Sequence, residues 1–416
     1  MPLRLNCPLP LATPAGVEVL IRILTQGPIA RVEIARRTGL SQAAVTKAVA
    51  PLIEAGFVAD SPAGRLQAGR IDEAGTEVDG TSTARAELGI GRPVSPLTIV
   101  ADSISVIGLK VTPTDLIGVT TDFRAGIRAV RHRQLPDTSA ETVVERLADL
   151  ARELVGTLDD RDDPVGPLAG IGVAVSGDVD TPHGVVRDSP FMGWRDVSVA
   201  RLLSEQVGSP VVVSNDVRAL TVAEHWFGVG VDADSFAVVT IGSGVGCGLY
   251  LNGEVVSGAH GVSGELGHLP LAPDNLICTC GRRGCVETVA SSDAILRRVR
   301  ERTGRPDLDL SGAVDLAHQG DLQAREAFDR AGEVIGSALA AMANLVGPEL
   351  VVIAGEGVAE YDLYDQRMRK AFADHAFGAA ADCQLMLRSH TFDDWARGAA
   401  ATVIRSYVRG EPPFRR

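Results

Sequence analysis

The chain has 416 residues, 45% hydrophobic and 22% charged, with 45 Gly and 22 Pro. That length accommodates two or three domains with sizeable cores, and the fractions exclude collagen-like, low-complexity and wholly disordered chains. A formal net charge of −13 argues on its face against a nucleic-acid partner, and no uninterrupted apolar run reaches the length of a bilayer span. Residues 1–15 carry one Arg and repeated Pro but no apolar core, so no signal peptide is expected and the cytoplasm is the expected location.

The average hides an asymmetry. Residues 1–58 hold six basic side chains (Arg4, Arg22, Arg31, Arg36, Arg37, Lys47) against three acids (Glu18, Glu33, Glu54), a balance of +3 that leaves −16 to the remainder. A basic head on an acidic body is the pattern to follow. Only three Lys occur (Lys47, Lys110, Lys370) against 37 Arg, which reads as genomic base-composition bias.

Residues 17–58 predict three helices. The first covers 17–24 and stops near Gly27-Pro28, and the second covers 30–37. Thr38-Gly39-Leu40 then makes a tight turn in which Gly39 suits a left-handed C-cap, and Ser41 is a good N-cap for the third helix. There Val45, Val49, Leu52 and Ile53 fall on one buried face, while Gln42, Ala43, Thr46 and Lys47 point the other way. Helix, glycine turn, and a helix with a small, polar and basic outer face is the helix-turn-helix plan. Pro51 should kink that helix or mark its last turn. Residues 60–96, rich in Gly, Ala, Thr and Arg, read as a long wing plus linker.

From residue 97 the character is α/β. Strands are expected at 98–101, 106–111, 171–176 and 211–214, then at 236–241, 247–252, 350–354 and 384–388. Helical patterns at 140–156, 197–207, 217–227, 289–300 and 321–346 separate them. The opening strand pairs near 98–120 and 236–256 echo each other, so two lobes of related topology flanking a cleft are expected.

Four motifs carry chemistry. Ile241-Gly242-Ser243-Gly244-Val245-Gly246-Cys247-Gly248 joins two strands, and its glycines allow backbone N–H groups to approach a phosphate, with the Ser243 hydroxyl as a further donor. An ordinary glycine-rich hairpin is the alternative. His268 precedes Cys278, Cys280 and Cys285, and in a reducing compartment one imidazole and three thiolates suit a closed, structural tetrahedral zinc site. Cys7, Cys247 and Cys383 are scattered and read as bystanders. Asn215 and Asp216 end a strand and open a helix, so Asp216 could take a proton from a sugar hydroxyl or simply be the N-cap. Glu265 and Glu287 bring two more carboxylates to the zinc loop, either as polyol acceptors or as plain surface residues.

Together these residues resemble the ROK family (repressors, open reading frames and sugar kinases) over nearly the whole chain. The most specific part runs from the glycine hairpin through Gly264-Glu265-Leu266-Gly267-His268 to Cys278-Thr279-Cys280-Gly281-Arg282-Arg283-Gly284-Cys285-Val286-Glu287. Gly39-Leu40-Ser41 and Gly91-Arg92-Pro93 resemble the turn and the wing end of its repressor branch. The resemblance implies a winged helix-turn-helix head on a two-lobed actin-like, hexokinase-like (ribonuclease H-like) body, assembled as a dimer or tetramer. The expected layout is a DNA-binding domain at 1–60, wing and linker at 61–96, a first lobe at 97–214, a second lobe with the zinc loop at 215–390, and a C-terminal helix at 391–416 returning to the first lobe. It also implies that Asn215 binds sugar, that Asp216 matches the catalytic base, and that Glu265, His268 and Glu287 contact sugar. Gly242, Ser243, Gly244 and Gly246 match the phosphate loop, and His268 with Cys278, Cys280 and Cys285 matches the zinc ligands.

Departures from the kinase pattern are as informative. Asp102-Ser103-Ile104-Ser105-Val106 replaces a glycine-bearing first phosphate loop, and β-branched Ile104 hinders close backbone approach. Gly355-Glu356-Gly357 places an acid where paired glycines are expected, Arg218 stands where a second Asn is usual, and Phe191 where a sugar-binding Asn is common. Use of ATP with Mg²⁺ is therefore not expected. The leading expectation is a sugar- or sugar-derivative-responsive regulator, a repressor by its branch. Ser41, Gln42, Ala43, Thr46 and Lys47 would then face the major groove, and Arg36, Arg37 and Arg92 phosphates or the minor groove. The alternatives are an active ATP-dependent sugar kinase carrying a DNA-binding head, and a regulator answering to a protein partner.

Overall fold

The computed structural model describes residues 8–11, 13–61, 95–159, 166–259 and 261–414, the side chains of 358 and 359 apart. The chain divides into two compact units, one over Pro8–Ser103 and one from Ile104 onward.

In the first unit α1 (Pro14–Gln26) is capped by the Thr13 hydroxyl and α2 (Arg31–Thr38) ends on Gly39, whose φ of 69° is left-handed. Ser41 then caps α3 (Gln42–Glu54) by accepting from Ala44 N–H at 3.2 Å. Val19, Leu20, Ile23, Ile34, Val45, Val49 and Leu52 are buried. Pro51 lies in the last turn of α3, where its missing N–H removes one helical hydrogen bond, and the helix ends at Glu54. Beyond it, β1 (Val58–Asp60) pairs antiparallel with β2 (Leu97–Ile99). The strand expected to open the body at residue 97 thus belongs to the head, because Leu97 and Ile99 alternate into the head's interior and pair with Val58 and Asp60. Most of the expected wing and linker, Arg92 included, lies outside the described residues.

The second unit opens with β3 (Ser105–Val111), β4 (Asp115–Asp122) and β5 (Ile127–Gln134), followed by α4 (Ala140–Asp159) and β6 (Leu168–Val175). A small antiparallel sheet of β7 (Asp178–Asp180), β8 (Val185–Ser189) and β9 (Trp194–Val197) precedes α5 (Val199–Val207), β10 (Val211–Asn215) and α6 (Asp216–Phe227). The first large sheet has the order β10-β6-β3-β4-β5. Its central strands are near-continuous apolar runs because helices cover both faces. Edge strand β5, with Arg128, Arg131, His132 and Arg133, lacks that signature, which is why its sequence does not announce a strand.

The second half repeats the plan. β11 (Ser235–Ile241), β12 (Val245–Leu251) and β13 (Glu254–Val255) precede α7 (Glu287–Ala290), α8 (Ser292–Thr303), α9 (Leu310–His318) and α10 (Leu322–Val346). Then come β14 (Leu350–Ala354), α11 (Tyr361–His375), β15 (Gln384–Leu387) and α12 (Phe392–Arg409). The order β13-β12-β11-β14-β15 matches the first sheet strand for strand, an antiparallel meander followed by two parallel strands. The internal echo is therefore a structural repeat, with its first copy opening at Ser105.

Helices α6 and α12 lie between the two sheets. Ala174 of β6, Ala219 of α6 and Ala399 of α12 share one buried cluster. Ala396 of α12 packs on Ile117 and Val119 of β4. Val217 and Leu220 of α6 join Phe236 and Val238 of β11 and Trp395 of α12. Among the described residues, no helix is long and apolar enough to cross a membrane.

Candidate ligand cleft, metal cluster and DNA-reading helix

Where β10 gives way to α6, Asn215 rather than Asp216 caps the helix. Its Oδ1 accepts from Arg218 N–H at 3.1 Å and its Nδ2 donates to Gly177 O at 3.0 Å. Asp216 is the first helical residue, and its carboxylate turns inward. Oδ2 accepts from Lys110 Nζ and from Ser176 Oγ, each at 2.5 Å, while Oδ1 accepts from Val217 N–H at 2.9 Å. Burial alone would raise this carboxyl's pKa. The Lys110 ammonium and the hydrogen bonds from Lys110, Ser176 and Val217 outweigh it, and the pKa falls below the ordinary carboxylate range. Lys110, also buried, stands 5.4 Å from the Trp395 ring centroid. The group matching a catalytic base is thus a buried, ionised partner of a lysine.

Charged groups crowd the neighbouring space. Arg218 donates to Gly261 O at 3.0 Å, and burial lowers its pKa although Asp178 and Glu265 attract it. Asp178 Oδ1 is buried, pairs with Arg187 Nη1 at 3.8 Å, and has no hydrogen-bond partner among the described residues. Glu265 has its carboxyl pKa raised by partial burial, against His268, with Asp178 and Glu287 adding repulsion. A donor-rich, uncharged ligand such as a polyol would satisfy these acceptors.

His268 ends a short 3₁₀ turn (Leu266–His268), and its ring divides two tasks. Nδ1 lies 3.7 Å from Cys278 Sγ, whereas Nε2 faces Glu265 Oε2 at 3.9 Å. Cys280 Sγ and Cys285 Sγ are also 3.7 Å apart, and all four ligand atoms lie within 4.8 Å of one another. A tetrahedral zinc with Zn–S of about 2.3 Å requires thiolates about 3.8 Å apart, so the donor set fits the ion.

The glycine run forms the β11–β12 turn. Gly246 lacks a side chain for a reason unrelated to phosphate: a Cβ there would stand 2.6 Å from Val217 Cγ2, so the absence lets α6 pack on β12. At the turn itself Val245 N–H donates to Glu287 Oε2 at 3.1 Å, tying the turn to the start of α7, two residues after Cys285. Ser243 N–H and Oγ donate to Glu356 Oε1 at 2.8 and 3.1 Å. A Cβ on Gly244 would lie 3.6 Å from Phe191 Cζ, so Phe191, between β8 and β9, reaches the turn. Ile104 is wholly buried, a core residue rather than part of a phosphate loop.

On the head, Ser41, Gln42, Ala43, Thr46 and Lys47 are all exposed along one side of α3. The Thr46 hydroxyl donates to Gln42 O at 2.9 Å, leaving its oxygen free to accept. Arg36 and Arg37 are both tethered to Glu33 Oε1 at 2.6 Å, so their charge is partly neutralised within α2. Sequence reading missed Lys110, Ser176 and Asp178. The signal for Lys110 was present as a lone charge inside the apolar run Val106-Ile107-Gly108-Leu109-Lys110-Val111.

Comparison with known proteins gives the same division. Residues 106–406 match the ROK family model and residues 18–59 a winged helix-turn-helix DNA-binding model. Glucokinase of Thermotoga maritima is 30% identical over 73% of this chain and 99% of its own length. The DNA-binding transcriptional dual regulator NagC of Escherichia coli K12 is 28% identical over 94% of this chain and 92% of its own. A solved ROK-family transcriptional regulator, a homolog of the E. coli MLC protein, superposes with a TM-score of 0.76 at 24% identity. It covers 95% of this chain and 96% of its own. This chain belongs to the ROK family and carries a winged helix-turn-helix head on a hexokinase-like body.

Proposed function

We propose that this protein is a sugar-responsive transcriptional regulator, working as a repressor. The observation that carries the reading is the exposed face of α3, with Gln42, Ala43, Thr46 and Lys47 free to meet base edges, on the same chain as a ROK body. NagC, similar over nearly the full length, is named as a DNA-binding regulator. A head balance of +3 gives weak electrostatic binding, so two heads of a homo-oligomer on a palindromic operator supply the affinity. The protein works in the cytoplasm, where its DNA is.

A sugar or sugar derivative binds in the cleft beside Asn215, Glu265, His268 and Glu287, and its hydroxyls also satisfy Asp178 Oδ1. Binding favours one arrangement of the two lobes, and that preference is read as altered operator affinity. His268, Cys278, Cys280 and Cys285 hold a structural zinc, which fixes the loop that presents Glu265 and Glu287.

A sugar kinase with a DNA-binding head is the second reading, favoured by the likeness to glucokinase. Against it stands Asp216, whose Oδ2 is already shared by Lys110 and Ser176 and which is a weakened base. The deciding experiment is binding to DNA from the gene's own promoter region, titrated with sugars and sugar phosphates, beside an ATP-dependent phosphorylation assay. Specific binding that a sugar relieves or strengthens supports the regulator. ATP-dependent phosphorylation abolished by Asp216→Asn overturns the non-kinase reading, and a full sugar panel without effect on DNA binding or thermal stability removes the sensor.

A further inference from the structure

Gly242, Ser243 and Val245 of the glycine turn already donate to acceptors of the chain itself. Gly242 N–H donates to Gly244 O at 3.0 Å, Ser243 N–H and Oγ to Glu356, and Val245 N–H to Glu287. A side chain on Gly242 would collide with the Glu356 carboxylate, so this acid fills the space the glycine leaves open.

The backbone carrying Glu356 is fixed on both sides. Gly355, with a φ of +98°, brings the end of β14 against the Ile241 backbone at the end of β11. Gly357 also abuts Ile241, and its carbonyl accepts from the buried Tyr364 hydroxyl at 2.8 Å. An ordinary side chain at Gly355 would be strained and one at Gly357 crowded, so the two glycines set the close approach that delivers Glu356 to Ser243. Backbone N–H and hydroxyl donors converging on one carboxylate oxygen is the chemistry with which a turn holds a phosphoryl oxygen.

We propose that Glu356 is a built-in occupant of an anion seat at the glycine turn, so that the cleft rejects nucleotides and phosphorylated sugars and admits uncharged ligands. The carboxylate satisfies Ser243 and leaves a negative charge where a phosphoryl group would arrive. Phe191 narrows the approach on one side and Glu287 adds a second carboxylate on another. The ligand-class part of this inference rests on the sensor reading above, while the filled seat does not.

The test uses the full chain with tripolyphosphate and MgATP as probes, titrated calorimetrically at fixed ionic strength. Glu356→Gly and Glu356→Gln are compared with wild type, each checked for unchanged thermal midpoint and metal content. Both variants are expected to bind tripolyphosphate at least about tenfold more tightly than wild type, Glu356→Gly the more strongly. Equal affinity of all three proteins, whether all bind or none does, overturns the proposal. A parallel titration of a hexose panel and the corresponding hexose phosphates reads the ligand class. Phosphorylated sugars binding wild type as well as the variants overturn the exclusion, whereas no sugar binding at all sinks the sensor reading and leaves the polyphosphate result intact.

Discussion

Lys110 of β3 and Asp216 at the start of α6 form an ion pair at 2.5 Å, and both side chains are buried. The pair joins the central strand of the first sheet to a helix lying between the sheets. Removing either partner strands the other as an uncompensated charge in the interior. Lys110→Met is expected to destabilise the body by about 3–5 kcal/mol in urea unfolding. The double variant Lys110→Met with Asp216→Asn should recover most of that loss, because neither charge remains. Additive losses would show that the two residues act independently.

A second ionised cluster, around Glu224, should add to the acid sensitivity of the body. Glu224 accepts from His390 Nε2 at 2.8 Å and Val229 N–H at 3.1 Å and forms an ion pair with Arg388 Nε at 3.0 Å, with Arg397 also close. Burial would raise its pKa, but His390, Arg388 and the Val229 N–H lower it on balance. A carboxyl depressed in the folded state contributes stability that is complete above its unfolded pKa and lost as pH falls through the folded one. Wild type should therefore weaken from about pH 5 downward. Glu224→Gln should be less stable at pH 7 and show a shallower acid slope in urea titrations at each pH.

Zinc removal should loosen the segment that presents Glu265 and Glu287. One zinc per chain is expected by elemental analysis, with Cys278→Ser or Cys285→Ser retaining far less. Chelation should lower the thermal midpoint of wild type and leave that of Cys285→Ser nearly unchanged.

On the head, Lys47→Ala should weaken operator binding and reduce the slope of log K against log salt by about 1 per head. Gln42→Ala should instead relax base preference while leaving that slope alone. Glu33→Gln acts in the opposite direction. It frees Arg36 and Arg37 from their shared carboxylate, so DNA binding should tighten and its salt dependence steepen, measurable by fluorescence anisotropy.

Much of this was legible in the residues. The helix-turn-helix follows from Gly39, Ser41 and the alternating faces of α3, which are local effects. Cys278, Cys280 and Cys285 suggest a metal site because three thiols at such spacing have few other uses, and the structure gathers them with His268. Long-range partnerships were not legible. No periodicity links Lys110 to Asp216, 106 positions away, or Ser243 to Glu356, 113 positions away. The glycine run illustrates a further limit, since Gly246 is small to admit α6 and Gly242 to admit Glu356. Sequence records that a side chain is missing, but packing decides what occupies the space. Strand β2 belongs to the head and not to the body, which its sequence does not disclose because residues 61–96 separate Leu97 from its partner strand β1.

Helix α12 has a consequence for how the protein is made. Its Ala396 and Ala399 cover apolar positions of β4 and β6, strands synthesised more than two hundred residues earlier. Emerging from the ribosome, the first sheet has α4 and α5 to cover one face, while Ile117 and Val119 wait for the helix that follows the entire second lobe. The lobes are consequently not independent folding units in birth order. A chain stalled before Phe392 exposes a sticky apolar face, and chaperone dependence should be greatest at that stage of translation.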